Sequence, residues 1–111
     1  MNRGEIWFAD RSPTLGSEIN KRRPVLIVSN DANNRAASTL TVLPITSKVE
    51  KIYPFEVALP PKTSGLPKAS KALAQQIRTI SRERIVGKPV GELDKKTMVT
   101  IDHAIRLHLA L

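Results

Sequence analysis

Short apolar runs separated by polar or proline-bearing breaks fill most of this chain. Glu5 to Asp10 encloses Ile6, Trp7 and Phe8 and predicts a buried or half-buried strand. Ser12-Pro13 and Leu15-Gly16-Ser17 end it, and Glu18 to Arg23 reads as an exposed loop. Val25-Leu26-Ile27-Val28 is the second strand, opened by Pro24, which biases Arg23 toward an extended backbone at the strand's mouth. Ser29 to Ala37 carries Asn30 and Asp31 as turn or cap residues, with a helical turn after them. Thr41 to Thr46 is a third strand, in which Pro44 suggests an edge position or a bulge. Phe55 to Leu59 alternates at period two and is a fourth.

Pro60 to Pro67 reads as a loop around Gly65. Ser70 to Ile80 is rich in helix formers, yet its position among strands favours reading it as one continuous strand. Arg84 to Gly91 looks like a short strand and turn. Then the period changes: Asp94 can cap, and Met98, Ile101, Ile105 and Leu109 recur three or four apart, an amphipathic closing helix. Strands first and one helix last predict a mainly β domain, a small, strongly curved antiparallel sheet with a packed terminal helix.

At 111 residues the chain holds one domain, residues 1–111. A net charge of +8 and a pI near 10.3 point to a polyanionic partner, without separating RNA, DNA, an acidic protein tail or a membrane surface. Zero cysteines exclude disulfides, thiolate metal sites and a thiol nucleophile. No apolar run has membrane-spanning length and no signal-peptide core follows Met1, so the expectation is a cytoplasmic protein with no membrane partner.

Two clusters each set a fixed positive charge against a β-type apolar run: Lys21-Arg22-Arg23-Pro24 and Gln75-Gln76-Ile77-Arg78. A guanidinium's planar fork matches phosphate and stays charged at any biological pH. On a continuous strand Gln76 and Arg78 would share one face, with Ile77 on the other. His103 and His108, five apart on a helix, diverge by about 140° and cannot form a two-histidine site. Asn30 and Asn34 read as turn and cap groups, Trp7 and Phe8 as core, and Tyr53 and Phe55 as shaping a loop around Pro54.

Taken in order, Arg3-Gly4-Glu5-Ile6-Trp7, Pro13 with Gly16-Ser17-Glu18, and Arg23-Pro24-Val25-Leu26-Ile27-Val28-Ser29-Asn30 resemble the MazF/PemK toxin family. Pro44-Ile45-Thr46-Ser47, Tyr53-Pro54-Phe55, Gly65-Leu66 and Gln76-Ile77-Arg78-Thr79-Ile80 extend the match along the chain. The resemblance implies an SH3-like barrel of the CcdB/PemK type and a homodimer. It also implies sequence-specific, metal-independent and cofactor-free cleavage of single-stranded RNA, chiefly mRNA. An antitoxin whose acidic, disordered tail occupies the RNA groove is the implied partner.

The resemblance further implies site residues. Arg23 and Thr46 match the arginine and threonine treated as catalytic in one branch of the family, and Glu18 is the nearest carboxylate. Ser17, Lys21, Arg22, Gln76 and Arg78 fall at RNA-contacting places. Where another branch has a histidine, an arginine and an aspartate, this chain holds Ser17, Leu73 and Gln75. Plain alternatives stand beside these roles: Glu18 a loop charge paired with Lys21 or Arg22, Arg23 a surface or dimer-interface ion pair, Thr46 a β-branched strand end, and Arg78 a member of a structural hydrogen-bond network. As whole-protein alternatives, a non-cleaving nucleic-acid binder would leave RNA intact. A gyrase poison of the same fold would need a tryptophan near the C-terminus, where this chain has His108-Leu109-Ala110-Leu111.

Overall fold

A computed structural model describes residues 1–10 and 22–111 of the chain. Its strands are β1 (Glu5–Asp10), β2 (Arg22–Ile27), β3 (Thr39–Thr46), β4 (Glu56–Leu59), β5 (Ser70–Leu73), β6 (Arg78–Ser81) and β7 (Ile85–Glu92). The helices are α1 (Asp31–Ala36), α2 (Pro61–Ser64) and α3 (Lys95–Leu109). The strands form one antiparallel sheet in the order β4-β5-β3-β2-β1-β7, with β6 pairing the first half of β3. Among the described residues no helix is long and apolar enough to cross a membrane.

Alternation along the inner strands explains their unbroken apolar runs. Leu26, Val28, Leu43 and Ile45 join one cluster with β4, β5 and α3, while Val25, Ile27, Leu40 and Val42 join another with Ile80 and Ile85. Both faces of the sheet are therefore buried here, and polar residues have no place between the apolar ones. Phe8 and Trp7, neighbours in β1, pack against the two clusters from opposite faces.

The sheet curls without closing into a laddered barrel. Its two ends meet through backbone instead: a Cβ on Gly65, which caps α2 with a φ of +79°, would stand 2.5 Å from the carbonyl oxygen of Val90. A Cβ on Gly91 would collide with the carbonyl of Ser64. Glycine is required at this crossing because no side chain fits between α2 and β7.

Several local expectations need correction. Pro60–Pro67 is not irregular, because Pro61 in the first turn and Gly65 after the last are the residues that start and stop a short helix, α2. Ser70 to Ile80 is not one strand: β5 ends at Leu73, a 3₁₀ turn occupies Ala74–Gln76, and β6 starts at Arg78. The helix-favouring Ala-Gln-Gln prevails at the point where β3 changes partner from β6 to β5.

Pro44 likewise sits on an interior strand, neither at an edge nor in a bulge. Thr41 N and O both bond toward β2, at Ser29 Oγ (3.1 Å) and Val28 N (2.9 Å). Alternation then turns Pro44 to the opposite side, where neither β6 nor β5 pairs with it and no N–H is needed. β1, β2, β3, β4 and α3 lie where the pattern predicts them, with Asn30 and Asp94 as caps accepting from Asn33 N and Thr97 N.

Candidate active site

The β2–β3 ladder positions the central pair. Val25 stands opposite Pro44, Leu26 opposite Leu43 and Ile27 opposite Val42. The ladder stops at Val25 and Pro44, and two residues further along each strand alternation returns Arg23 and Thr46 to the face of that pair. Opposed residues share a face, so Arg23, Pro44 and Thr46 project from the same side of the sheet. They line one cleft of about 470 Å³, with Ser47, Lys48, Leu73 and Gln76.

Arg23 is exposed, and among the described residues its guanidinium makes one long 3.5 Å contact, from Nη1 to the carbonyl of Arg22. Thr46 is half-buried, and its Oγ1 accepts from Lys48 N at 3.2 Å, which orients the hydroxyl oxygen within the strand-to-loop turn. Gln76 reaches the cleft from the 3₁₀ turn, not from a strand, so its exposure does not come from the alternation expected of it. Arg78, opposite Val42 in β6, lies on the same face and lines an adjoining hollow with Arg23 and Pro44. Arg22 is exposed and paired in register with Asp10. Ser17, Glu18 and Lys21 lie outside the described residues.

Other candidates resolve into structure. Asn30 caps α1, while Asn34 is buried, accepting from Ser29 Oγ (2.5 Å) and donating to Ser29 O (2.9 Å). His103 and His108 are exposed on α3, and His108 lies near the Phe55 ring, 6.4 Å between centroids. Tyr53 and Phe55 do shape the loop, stacked nearly parallel at 5.6 Å. A separate hollow of about 570 Å³ between α1 and α3 contains the Arg3–Asp102 ion pair and none of the cleft residues.

One group at the site gave no sequence signal. Glu56 falls on the polar side of the alternation in β4, yet it is buried, salt-bridged to Lys71 at 2.7 Å. Burial alone would raise its carboxyl pKa. Hydrogen bonds from Lys71, from the Tyr53 backbone and from Gln75, with the Lys71 charge, outweigh that and hold it below the ordinary value. Its burial comes from residues 51–55 folding back over the strand, a tertiary event that period-two patterning does not encode.

Arginine forks and hydroxyls on an open face suit a phosphodiester, since they offer donors and one donor–acceptor. The comparisons with known proteins agree with that chemistry. A profile of the PemK-like, MazF-like toxin of type II toxin–antitoxin systems matches residues 2–109. The chain is 45% identical over 116 aligned positions to the endoribonuclease MazF9 of Mycobacterium tuberculosis, covering 100% of this chain and 98% of that protein. It is 39% identical to the endoribonuclease EndoA of Bacillus subtilis, covering 100% and 96%.

Among solved structures, a mycobacterial endoribonuclease in complex with its cognate antitoxin superposes with a TM-score of 0.81 at 27% identity, covering 100% of this chain and 96% of that one. A MazE–MazF complex from Deinococcus radiodurans gives 0.82 at 26% identity, with the same coverage. On a family match across nearly its whole length and relatives of this similarity, the chain belongs to the PemK/MazF family of toxins of type II toxin–antitoxin systems.

Proposed function

We propose that this endoribonuclease cuts single-stranded RNA at preferred sequences, without a metal, by setting the RNA's own 2′-hydroxyl on the adjacent phosphorus. The 2′-oxygen forms the new bond to phosphorus, the bond to the 5′-oxygen breaks, and a 2′,3′-cyclic phosphate and a 5′-hydroxyl result. The reaction needs a base for the 2′-proton, a donor for the departing oxygen and donors for charge growing on the phosphate. The observation that supports this reading is that Arg23 and Thr46 lie on one face of the sheet and line the same cleft.

A guanidinium offers donors and no acceptor, so the part of Arg23 is donation: to the non-bridging phosphate oxygens and to the leaving 5′-oxygen. Thr46 both gives and accepts, and it orients the 2′-hydroxyl or a phosphate oxygen. Glu18 is assigned the 2′-proton. Gln76, Arg78, Arg22, Lys21 and Ser17 are assigned to hold the strand on either side of the scissile linkage.

We further propose that the active form is a homodimer in the cytoplasm and that an antitoxin with an acidic tail shuts it off. Leu107 and Leu109 in the last turn of α3 and Leu111 beyond it are 56%, 44% and 85% exposed, apolar surface of the kind a second copy would cover. The exposed arginines beside the cleft complement an acidic segment that orders on binding. Light scattering reports the dimer. Competition between an acidic peptide and RNA reports the shared groove, and full binding of both at once would separate the two sites.

The decisive trial is purified protein with a long single-stranded RNA in excess chelator. Discrete fragments with cyclic-phosphate and 5′-hydroxyl ends are expected, and mapped ends give the preferred sequence. Arg23→Ala should cost about 3–4 kcal/mol of transition-state stabilisation if the arginine serves as an oxyanion donor. A folded Arg23→Ala protein cutting at the parental rate would end the assignment.

A further inference from the structure

Behind the cleft lies a charged cluster that the chemistry above does not use. Thr46 stands opposite Lys71, and Leu73 opposite Glu56, so all four occupy the cleft's own face of the sheet. Lys71 Nζ donates to Glu56 Oε1 at 2.7 Å and to the carbonyl of Lys51 at 2.5 Å. Glu56 also accepts from Tyr53 N (3.0 Å) and from Gln75 Nε2 (2.5 Å). The two charged side chains are only 10% and 3% exposed.

Each of these bonds ends on a segment that shapes the cleft. Lys51 and Tyr53 belong to the connection 47–55, whose first residues, Ser47 and Lys48, line it. Gln75 precedes Gln76 in the 3₁₀ turn. Gln75 itself records the constraint: its Oε1 is buried without a partner among the described residues. Turning the amide over would aim that oxygen at the carboxylate, so the Glu56 charge dictates how Gln75 is held.

Stability does not account for such a cluster. Taking two charges out of water is costly, and replacing a buried pair by apolar residues of similar volume often leaves a fold as stable or more so. A small displacement of a reacting group, by contrast, costs orders of magnitude in rate. We propose that the Glu56–Lys71 pair is a positioning device for RNA cleavage, fixing the connection 47–55 and the Ala74–Gln76 turn so that Thr46 and Gln76 meet the substrate in place. The proposal deepens the reading of the cleft as the RNA site and rests on it for its kinetic part.

Two measurements on the full-length double variant Glu56→Leu/Lys71→Met test it. Lys48 N–H bonds to Thr46 Oγ1, so its hydrogen exchange reports the placement of Thr46 whether or not RNA is cut. Exchange at Lys48 should accelerate about tenfold or more while the amides of Ile27 and Val42 in the core keep their protection. Steady-state cleavage should lose about tenfold or more in kcat with a smaller change in KM, and the preference among cut sites should relax.

Unchanged Lys48 exchange in the folded double variant, or parental kcat and site preference, would overturn the positioning role. Parental protein that binds RNA but makes no cuts would overturn the cleavage reading alone, and the exchange result would still decide the positioning role. If the double variant does not fold, Glu56→Gln decides by the same two readouts: it keeps the shape, removes the charge, and weakens the charge-assisted bonds that hold Lys71 and Gln75. Parental behaviour in that variant would sink the proposal.

Discussion

Arg23 and Thr46 come from strands that are neighbours in the sheet, each two residues beyond the Val25–Pro44 pair on its own strand, so both lie on that pair's face and line one cleft. Strand geometry fixes Arg23 at its Cα, and among the described residues the side chain is exposed at the cleft. Such a pair asks for a planar fork and not merely a positive charge. Arg23→Lys should therefore lose about 2 kcal/mol or more in kcat/KM, because an ammonium is a point charge that cannot bridge two phosphate oxygens. Thermal midpoint should stay at the parental value. Cleavage of a short RNA at saturating and subsaturating concentrations checks it, and full activity would make Arg23 a simple counter-ion.

Thr46 offers a cleaner division between packing and chemistry. Thr46→Val keeps the β-branched shape and removes the hydroxyl, while Thr46→Ser keeps the hydroxyl. Valine should lower kcat by about tenfold to a hundredfold, and serine should restore most of it. The lost acceptor for Lys48 N is near the surface and should cost about 1 kcal/mol or less in stability. Equal rates for the two variants would assign Thr46 to strand packing.

What the sequence reveals of this molecule divides along the range of the interactions concerned. Strands β1, β2 and β4, helix α3 and the caps Asn30 and Asp94 are legible because each rests on residues within one or two turns or alternations. The 3₁₀ turn at Ala74–Gln76 was not, because it exists only where β3 exchanges one partner strand for another. Pro44 misleads for the same reason: its missing N–H points into that exchange and harms no ladder. Arg23 and Thr46 are linked in sequence only through the family resemblance, since no local pattern states that β2 and β3 pair in this register. Glu56 was invisible, being polar on a face that alternation assigns to solvent.

The crossing of α2 over β7 makes Gly91 a sensitive position. A methyl group there meets the carbonyl of Ser64, which is backbone and cannot rotate away. Gly91→Ala should destabilise the fold by about 1–3 kcal/mol through overpacking. Gly87, with nothing within 4 Å of the same atom but a φ of +77°, should suffer from Gly87→Ala by backbone strain alone, about 1 kcal/mol. Urea unfolding of both variants checks the order, and a Gly91→Ala protein as stable as the parent would mean that α2 shifts freely on β7.

Acid should weaken the fold through Glu56 and Asp94, whose carboxyls are both held below their ordinary values. For Asp94 the cause is bonding to the Thr97 hydroxyl and backbone at the start of α3. A lowered folded pKa means that the unfolded chain binds the proton more readily. The stabilisation is therefore complete above the ordinary values of 4.5 and 3.8, and it drains away as pH falls through the lower folded values. Glu56→Gln should flatten the decline of thermal midpoint below about pH 4.5. A parental slope in that variant would show that other carboxylates carry the acid limb.

Arg78 tests how far the RNA path extends beyond the central pair. It lies on the face of Arg23, opposite Val42, and lines the neighbouring hollow, so a strand crossing the cleft would set a phosphate against it. An arginine that neutralises one phosphate of a single strand contributes about 0.7 to the slope of log affinity against log salt. With a non-cleavable RNA carrying 2′-deoxy sugars, Arg78→Ala should reduce the magnitude of that slope by about 0.7 and weaken binding evenly across sequences. Loss confined to particular sequences would mean that Arg78 touches a base edge. An unchanged slope and affinity would leave Arg78 outside the path, with the strand leaving the cleft on the side of Ser47 and Lys48.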